Sequence, residues 1–102
     1  MYVFVYTTVS NIEEAKRISK VLLEKKLAAC VNMFSIDSMY ISNGQIKNAK
    51  EIGIIIKTKN EKFKELKKEL KKIHPYEIPC ICSIYLENCS RSFLDWIDAV
   101  LA

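Results

Sequence analysis

The sequence predicts an α+β fold in a single domain, residues 1–102. Apolar, β-branched segments that are typical of strands alternate with segments whose apolar residues recur at the three- and four-residue spacing of amphipathic helices. The chain has 102 residues, of which 50% are hydrophobic and 27% charged. That length and composition are those of one globular domain and not of a disordered tail. The segments follow the order β-α-β-β-α-β and end in a further helix.

The first strand and helix have clear patterns. Residues 2–8, YVFVYTT, are apolar nearly throughout and suit a strand that is buried on both faces. Ser10 and Glu13 have the spacing of a capping box, which predicts the start of a helix. The helix is predicted to reach about Lys26 and to bury one apolar stripe. The stripe consists of Ile12, Ala15, Ile18, Val21 and Leu22.

The middle of the chain is predicted to be extended. Residues 30–46 contain a single glycine, Gly44, and neither alternating set of their side chains is uniformly apolar. This mixture predicts a strand that bends or changes neighbours part-way along. Residues 51–58 predict a third strand, which is buried on both faces at residues 54–56.

The second half repeats the helix and strand pattern. Asn60 is predicted to cap a helix that stops at His74, because a residue before proline is excluded from the helical region. A fourth strand is predicted over residues 78–86, followed by a last helix capped by Asn88 or Ser90. The predicted buried stripes are Phe63, Leu66, Leu70 and Ile73 in the first of these helices, and Phe93, Trp96, Ile97 and Val100 in the second.

Two halves of this kind, with both helices on one face of a mixed four-stranded sheet, form a ferredoxin-like βαββαβ sandwich with an extra C-terminal helix. This fold hosts many functions, so function has to come from the residues of a site.

The net charge of +4 comes from one segment. Residues 57–73 hold eight lysines and three glutamates, a local charge of +5, so the rest of the chain sums to −1. This pattern is typical of a solvated helix face, because a nucleic-acid surface would add arginine or interleaved aromatic residues. Arg17 and Arg91 are the only arginines, and both lie elsewhere. No nucleic-acid partner is predicted.

No apolar run approaches about 18 residues, so no membrane association is predicted. The N-terminal residues lack the basic region and cleavage site of a signal peptide. We therefore expect a cytoplasmic protein whose four cysteines are reduced thiols.

The segment HPYEIPCIC, residues 74–82, is the best candidate for chemistry. Cys80 and Cys82 share one face of the predicted strand, with Cβ atoms about 6.6 Å apart. Two thiolates on one tetrahedral zinc ion lie about 3.8 Å apart, which leaning side chains could reach. Two plainer interpretations stay open at this stage. The segment could be a proline-stiffened connector, and its cysteines could be buried structural thiols.

Few residues could carry catalysis. The chain has one histidine, and its two glycines, Gly44 and Gly53, form no phosphate-binding loop. No signature of a Cys-His nucleophile is present. We expect a protein that is not an enzyme and that uses no organic cofactor.

Several segments, taken in order, resemble one family over nearly the whole chain. They are Thr7-Thr8 at the end of the first strand, KKLAACVN at 25–32, Tyr40-x-x-x-Gly44-x-Ile46, Glu51 before a strand that closes with Lys57-Thr58, HPYEIP at 74–79 and a final helix with Trp96. The family is that of the CutA divalent-cation tolerance proteins. Two positions depart from its pattern. Ser42 replaces an aromatic residue, and Cys80 replaces an acidic residue and so exchanges an oxygen donor for a softer sulfur.

The resemblance implies a homotrimer in which the long second and third strands reach a neighbour's sheet. It also implies a role in tolerance of copper and other divalent metals, and no reaction is assigned to the family. A trimeric signalling or protein-interaction module, similar in shape to the PII regulators, is the alternative, with incidental metal binding and a protein partner still to be identified. The unpaired strand edges within residues 30–58 also favour association.

Two hypotheses concern particular side chains. Copper or another divalent metal is expected to use soft or borderline donors, and acidification should weaken its binding. The candidate ligands are Cys30, His74, Cys80 and Cys82, with Glu77 as a lesser candidate. We also expect Tyr40, Glu51, Lys57 and His74 to approach one another near a subunit boundary.

Overall fold

A computed structural model describes all residues from Met1 to Ala102. The chain forms four strands and three helices, in the predicted order. The elements are β1 (Tyr2–Val9), α1 (Ile12–Glu24), β2 (Cys30–Ser42), β3 (Gln45–Lys59), α2 (Asn60–Ile73), β4 (Cys82–Tyr85) and α3 (Arg91–Leu101). The fold is the expected α+β sandwich with an additional C-terminal helix.

The four strands form one sheet in the order β2-β3-β1-β4. Every neighbouring pair is antiparallel, so the prediction of a mixed sheet is wrong. The central strand β1 pairs along its full length with β3, from Tyr2 opposite Lys59 to Val9 opposite Ile52. Helices α1 and α2 each connect two strands that run in the same direction but are separated by a third, so no two neighbours are parallel.

The main core lies between the sheet and the helices α1 and α2. Side chains of β1 alternate strictly, and every second residue from Val3 to Val9 is buried. They pack against Ile18 and Leu22 of α1 and against Leu66 and Leu70 of α2. The predicted stripes are therefore confirmed at their centres, whereas Ile12 at the start of α1 is exposed.

The second face of the sheet is covered at one end only. There α3 buries Ile97 and Leu101 against Ala29 and the half-buried Tyr2. The Tyr2 hydroxyl donates a hydrogen bond of 2.8 Å to Asp98 and ties α3 to β1. The prediction that Trp96 is buried is wrong, because this side chain lies outside the small cluster and is 45% exposed.

Strands β2 and β3 extend beyond the sheet as a two-stranded arm. Pairing of β3 with β1 ends at Ile52, but its pairing with β2 continues to Gln45 opposite Ser42. The arm ends in Asn43 and Gly44, which both have positive φ angles, 52° and 73°. Two such residues are typical of a type I′ hairpin turn. The prediction of continuous extension over residues 30–46 is therefore wrong, since the chain reverses at this turn.

Helix ends and the fourth strand also differ from expectation. Asn11, rather than Ser10, caps α1, and its side chain accepts a hydrogen bond of 2.9 Å from the Glu14 amide. The cap of α2 is Lys59, one residue before Asn60. Strand β4 covers only four of the nine residues predicted over 78–86. Pro79 has no N–H group to donate to a ladder, which explains part of this shortening.

None of the three helices is long and apolar enough to span a membrane.

Candidate functional site

A cavity of about 810 Å³ lies between the arm and the segment that connects α2 to β4. Three stretches of chain build it: the end of β1, the base of the arm and the connector. The lining contains two carboxylates and several hydroxyl groups, but no lysine or arginine. The residues are Thr8, Ser38, Tyr40, Ser42, Ala49, Glu51, Tyr76, Glu77, Ile78 and Cys80.

His74 lies buried behind this cavity, where α2 ends. Its Nε2 atom is 2.9 Å from the carbonyl oxygen of Thr8 and 3.2 Å from the hydroxyl of Thr7. Its Nδ1 atom accepts a hydrogen bond of 3.1 Å from the backbone N–H of Tyr76. An amide can only donate and a carbonyl can only accept, so this arrangement fixes a neutral ring with its hydrogen on Nε2.

Burial lowers the pKa of His74, and the hydrogen bond to the Thr8 carbonyl offsets only part of that effect. The nearby charges of Glu14 and Arg17 act in opposite directions and contribute less. Both ring nitrogens are occupied by protein groups, so His74 offers no free donor to a metal. The hypothesis that His74 is a ligand therefore finds no support in this geometry.

Tyr76 connects His74 to the carboxylate of Glu51. Its ring lies 4.9 Å from the imidazole, centre to centre, and its hydroxyl donates a hydrogen bond of 2.6 Å to Glu51. Burial of Glu51 acts to raise the pKa of its carboxyl, but hydrogen bonds from Tyr76, Ser38 and Thr8 outweigh it and leave that pKa below its ordinary value. Burial, followed by the bond to Glu51, raises the pKa of Tyr76. Glu51 is therefore an ionised group held in one orientation.

Cys80 in the connector and Cys82 at the start of β4 form a close, exposed pair. The Sγ atoms of Cys80 and Cys82 are 3.8 Å apart, and both residues are exposed. Burial of the sulfur, together with the neighbouring Cys82 thiol and Glu51, raises the pKa of Cys80. The interpretation of these two residues as buried structural thiols is wrong. Two exposed sulfurs at this separation can both contact one soft metal ion.

Cys30 lies far from this pair. It opposes Lys57 at the start of β2, and three strand spacings, or about 14 Å, separate β2 from β4. Glu77 lines the cavity together with Cys80. The chain contains no group of three or more His, Cys, Asp or Glu side chains arranged to hold a metal ion. The five candidate ligands are therefore not brought together within one protomer.

Three of the four polar residues expected to approach one another lie around one cavity of the protomer, and their position near a subunit boundary stays a prediction. Tyr40 and Glu51 line one cavity, and His74 reaches it through Tyr76. For Lys57 the expectation is wrong within the protomer, because this residue lies six positions along β3 from Glu51, or about 20 Å. Its Nζ atom lies 5.7 Å from the ring of Phe4 and 5.6 Å from that of Phe93.

Two contributors were not predicted from sequence. Tyr76 stands inside the motif HPYEIP, but nothing local indicates that its hydroxyl reaches Glu51, a residue 25 positions earlier. Thr8 contributes its backbone carbonyl to His74 and a hydrogen bond to Glu51, and nothing local in the sequence indicates either contact.

A family model for the CutA1 divalent ion tolerance protein matches residues 3–100. The chain belongs to this family. Relatives described as divalent-cation tolerance protein CutA support the assignment over nearly their full length. The protein from Archaeoglobus fulgidus is 52% identical over 98 residues, which cover 96% of both chains. That from Thermotoga maritima is 45% identical over 95 residues, covering 93% of this chain and 94% of the relative.

Solved CutA structures have the same fold. The structure of a protein described as the periplasmic divalent cation tolerance protein CutA from Archaeoglobus fulgidus superposes with a TM-score of 0.97, at 50% identity and with all of both chains covered. The crystal structure of CutA1 from Pyrococcus horikoshii has a TM-score of 0.93 at 34% identity, with 96% of each chain covered. The ferredoxin-like architecture and the CutA resemblance are thus confirmed.

Proposed function

We propose that this CutA protein is a homotrimer that acts in tolerance of divalent metals by binding copper at the thiols of Cys80 and Cys82, without catalysing a reaction. The observation that carries the copper assignment is the pair of exposed Sγ atoms 3.8 Å apart. This separation matches the distance of about 3.8 Å expected for two thiolates on one tetrahedral zinc ion, so both sulfurs lie close enough to contact a single metal ion. Thiolate is a soft ligand and favours Cu(I) over hard cations such as Mg²⁺.

Binding at this pair depends on pH. Metal ions bind thiolates, and the raised pKa of Cys80 means that its proton must leave when the ion binds. Affinity therefore falls on acidification. Glu77 lines the same cavity as Cys80 and is a candidate for a further oxygen donor.

Competitive titration of Cu(I) against a chromogenic chelator tests the site. The wild-type chain is compared with a Cys80→Ser/Cys82→Ser variant and with a matched Cys30→Ser/Cys89→Ser variant that also loses two thiols. We expect saturable binding of one ion per protomer in the wild type and in the matched control. Loss of this binding in the first variant alone supports the proposal, whereas equal affinity in all three proteins would exclude Cys80 and Cys82 as the ligands.

The homotrimer is supported by the arm. All 13 residues of β2 pair with β3, and none pairs with another strand, so the outer edge of β2 offers free backbone groups. Apolar residues of the arm are also exposed, among them Met39, Ile41 and Ile46. A long free edge with apolar side chains is a site for pairing with another chain. Light scattering should give about three times the protomer mass of 11.8 kDa.

A PII-like interaction module is the second candidate function. It is favoured by the absence of any group of three ligand side chains and by the exposed apolar arm. Recovery of one stoichiometric protein partner in the presence of a chelator would favour this alternative. We also propose a cytoplasmic location, where four free cysteines stay reduced. Cell fractionation tests that location, which differs from the periplasmic description of the Archaeoglobus fulgidus relative.

A further inference from the structure

We propose that a stripe of lysines on the outer face of α2 is a docking surface for an acidic segment of a partner protein, with carboxylates spaced about 6 Å apart. The lysine stripe consists of Lys64, Lys67, Lys68 and Lys71. This surface lies away from the arm and from the cavity, and it does not depend on the copper proposal. Its evidence is the placement of the lysines, their lack of ion-pair partners and the sign of the neighbouring charges.

The four lysines of the stripe share one face of α2. Their positions follow the spacing i, i+3, i+4 and i+7, which places side chains on one side of a helix over a length of about 10 Å. Lys64 and Lys68 each lie two residues from Leu66, or about 200° around the helix. Leu66 is fully buried in the core against the sheet, so the stripe points away from the sheet. Three of the lysines are exposed, and Lys67 is half-buried.

Association of subunits through the arm leaves this face of α2 open. The arm belongs to β2 and β3, and the free edges of the sheet belong to β2 and β4. Helix α2 instead packs with α1 over one face of the sheet. A neighbouring chain that pairs with a free strand edge, or that covers the other face of the sheet, therefore meets the sheet and not the outer side of α2.

None of the four lysines has a carboxylate partner. The chain forms seven ion pairs, and no member of the lysine stripe takes part in them. The ammonium group of Lys67 instead lies 5.6 Å from the centre of the Phe63 ring. Two glutamates of the helix have other partners: Glu69 binds Lys25 of α1 at 3.0 Å, and Glu61 lies 3.7 Å from the N-terminal ammonium group. The lysine stripe is therefore available to an anionic partner.

Charged residues four positions apart along α2 always have the same sign. The pairs are Glu61/Glu65, Lys64/Lys68, Glu65/Glu69, Lys67/Lys71 and Lys68/Lys72. A helix face that only needs to be solvated gains stability from opposite charges at this spacing and loses it from like charges. The one ion pair within α2 joins Glu69 to Lys72 at 3.9 Å. Local choices that oppose stability are typical of functional surfaces.

The shape and chemistry of the stripe favour a narrow acidic chain. Lysines about one helical turn apart match carboxylates four residues apart on a partner helix, or two residues apart on an extended segment. The stripe has no arginine to bind phosphates and no exposed aromatic ring to stack on bases, as nucleic-acid surfaces do. A bilayer is wide enough to meet Glu61 and Glu65 beside the stripe as well. The apolar side of α2 is buried in the core and cannot insert into lipid.

Fluorescence anisotropy of a labelled octaglutamate peptide tests this surface on the full chain. The buffer contains a metal chelator and about 0.1 M salt, where the Debye length of about 10 Å is similar to the length of the stripe. Octaglutamine is the neutral control peptide. The protein variants are Lys68→Gln/Lys71→Gln in the stripe and Lys16→Gln/Lys20→Gln as the matched control. Lys16 and Lys20 are exposed residues of α1 without ion pairs, so the control removes an equal charge from the same helical layer.

We expect saturable binding of octaglutamate to the wild type, no binding of octaglutamine, and weaker binding as the salt concentration rises to about 0.5 M. Lys68→Gln/Lys71→Gln should weaken binding about tenfold, and Lys16→Gln/Lys20→Gln should change it less than about twofold. The stripe variant should unfold at the same temperature as the wild type or at a higher one. Glutamine has a helix propensity similar to that of lysine, and the like-charge pairs at Lys68 and Lys71 are removed.

Four outcomes would overturn the proposal. One is the absence of octaglutamate binding to the wild type at millimolar peptide. Another is an equal loss of affinity in the two variants, which would reflect net charge and not the stripe. A third is tighter binding to phosphatidylserine vesicles or to duplex DNA than to octaglutamate, which would assign the lysines to another class of partner. The last is a lower unfolding temperature of Lys68→Gln/Lys71→Gln, which would show that these lysines serve the fold. Because the chelator removes metal throughout, none of these results bears on the copper site at Cys80 and Cys82.

Discussion

The hydrogen bond between Tyr76 and Glu51 should contribute measurably to stability. Tyr76→Phe removes one hydroxyl and keeps the ring that packs on His74. A hydrogen bond to a charged group contributes about 1.5–3 kcal/mol, and both partners are half-buried, so we expect a loss of about 1.5 kcal/mol at pH 7. This corresponds to a decrease of about tenfold in the ratio of folded to unfolded protein.

Urea denaturation at fixed protomer concentration measures this loss, because the stability of an oligomer depends on concentration. In a Glu51→Gln background the same Tyr76→Phe change should cost about 1 kcal/mol less, since the charged acceptor is gone. The lowered pKa of Glu51 sets the pH dependence. The stabilisation by ionised Glu51 is present above its ordinary pKa of 4.5 and is lost as pH falls through its pKa in the folded protein. The stabilities of the wild type and of Tyr76→Phe should therefore converge in acid. Equal stability of wild type and Tyr76→Phe at pH 7, with no coupling to Glu51, would refute this reasoning.

Two further predictions concern residues next to the site. The pKa of His74 in the folded protein is lowered from 6.5, so the unfolded chain binds a proton at this residue first as pH falls. The free energy of unfolding should therefore decrease as pH drops below about 6.5. The chain has no other histidine, so the difference between denaturation curves at pH 7.5 and 5.5 should be much smaller in His74→Gln than in the wild type. An equal difference in both proteins would contradict the assignment of this pH dependence to His74. Gly53→Ala would place a Cβ atom 2.8 Å from the ring of Phe34, which must move, and we expect a loss of about 1–3 kcal/mol. Thermal unfolding should show this loss largely removed in a Phe34→Ala background, and an undiminished loss there would point to another cause.

Sequence patterns predicted the helices and central strands because these elements are defined by local periodicity. The stripes around Ile18, Leu22, Leu66 and Leu70 recur at helical spacing and pack against the sheet. The extended pattern over residues 30–46 did not indicate the turn at Asn43, although Asn-Gly is a strong hairpin signal. The flanking strands lack the alternation of apolar and polar residues that normally marks a hairpin, because they form an arm beyond the sheet where the protomer itself buries neither face.

The candidate site was only partly predictable, because it depends on distances between segments that are remote in sequence. The closeness of Cys80 and Cys82 follows from their spacing of two residues, and the structure confirms it at 3.8 Å. The bond from Tyr76 to Glu51 joins two segments that meet only through the sheet register. Likewise, only the strand order shows that Cys30 lies on the opposite edge from β4.

Native mass spectrometry of the Cu(I)-loaded protein tests the central claim most directly, since it reports subunit number and bound metal together. The account predicts one dominant species with about three times the protomer mass of 11.8 kDa and three copper ions. The Cys80→Ser/Cys82→Ser variant should give the same trimer without copper. A monomer in either protein, or a variant that retains all three ions, would contradict the account.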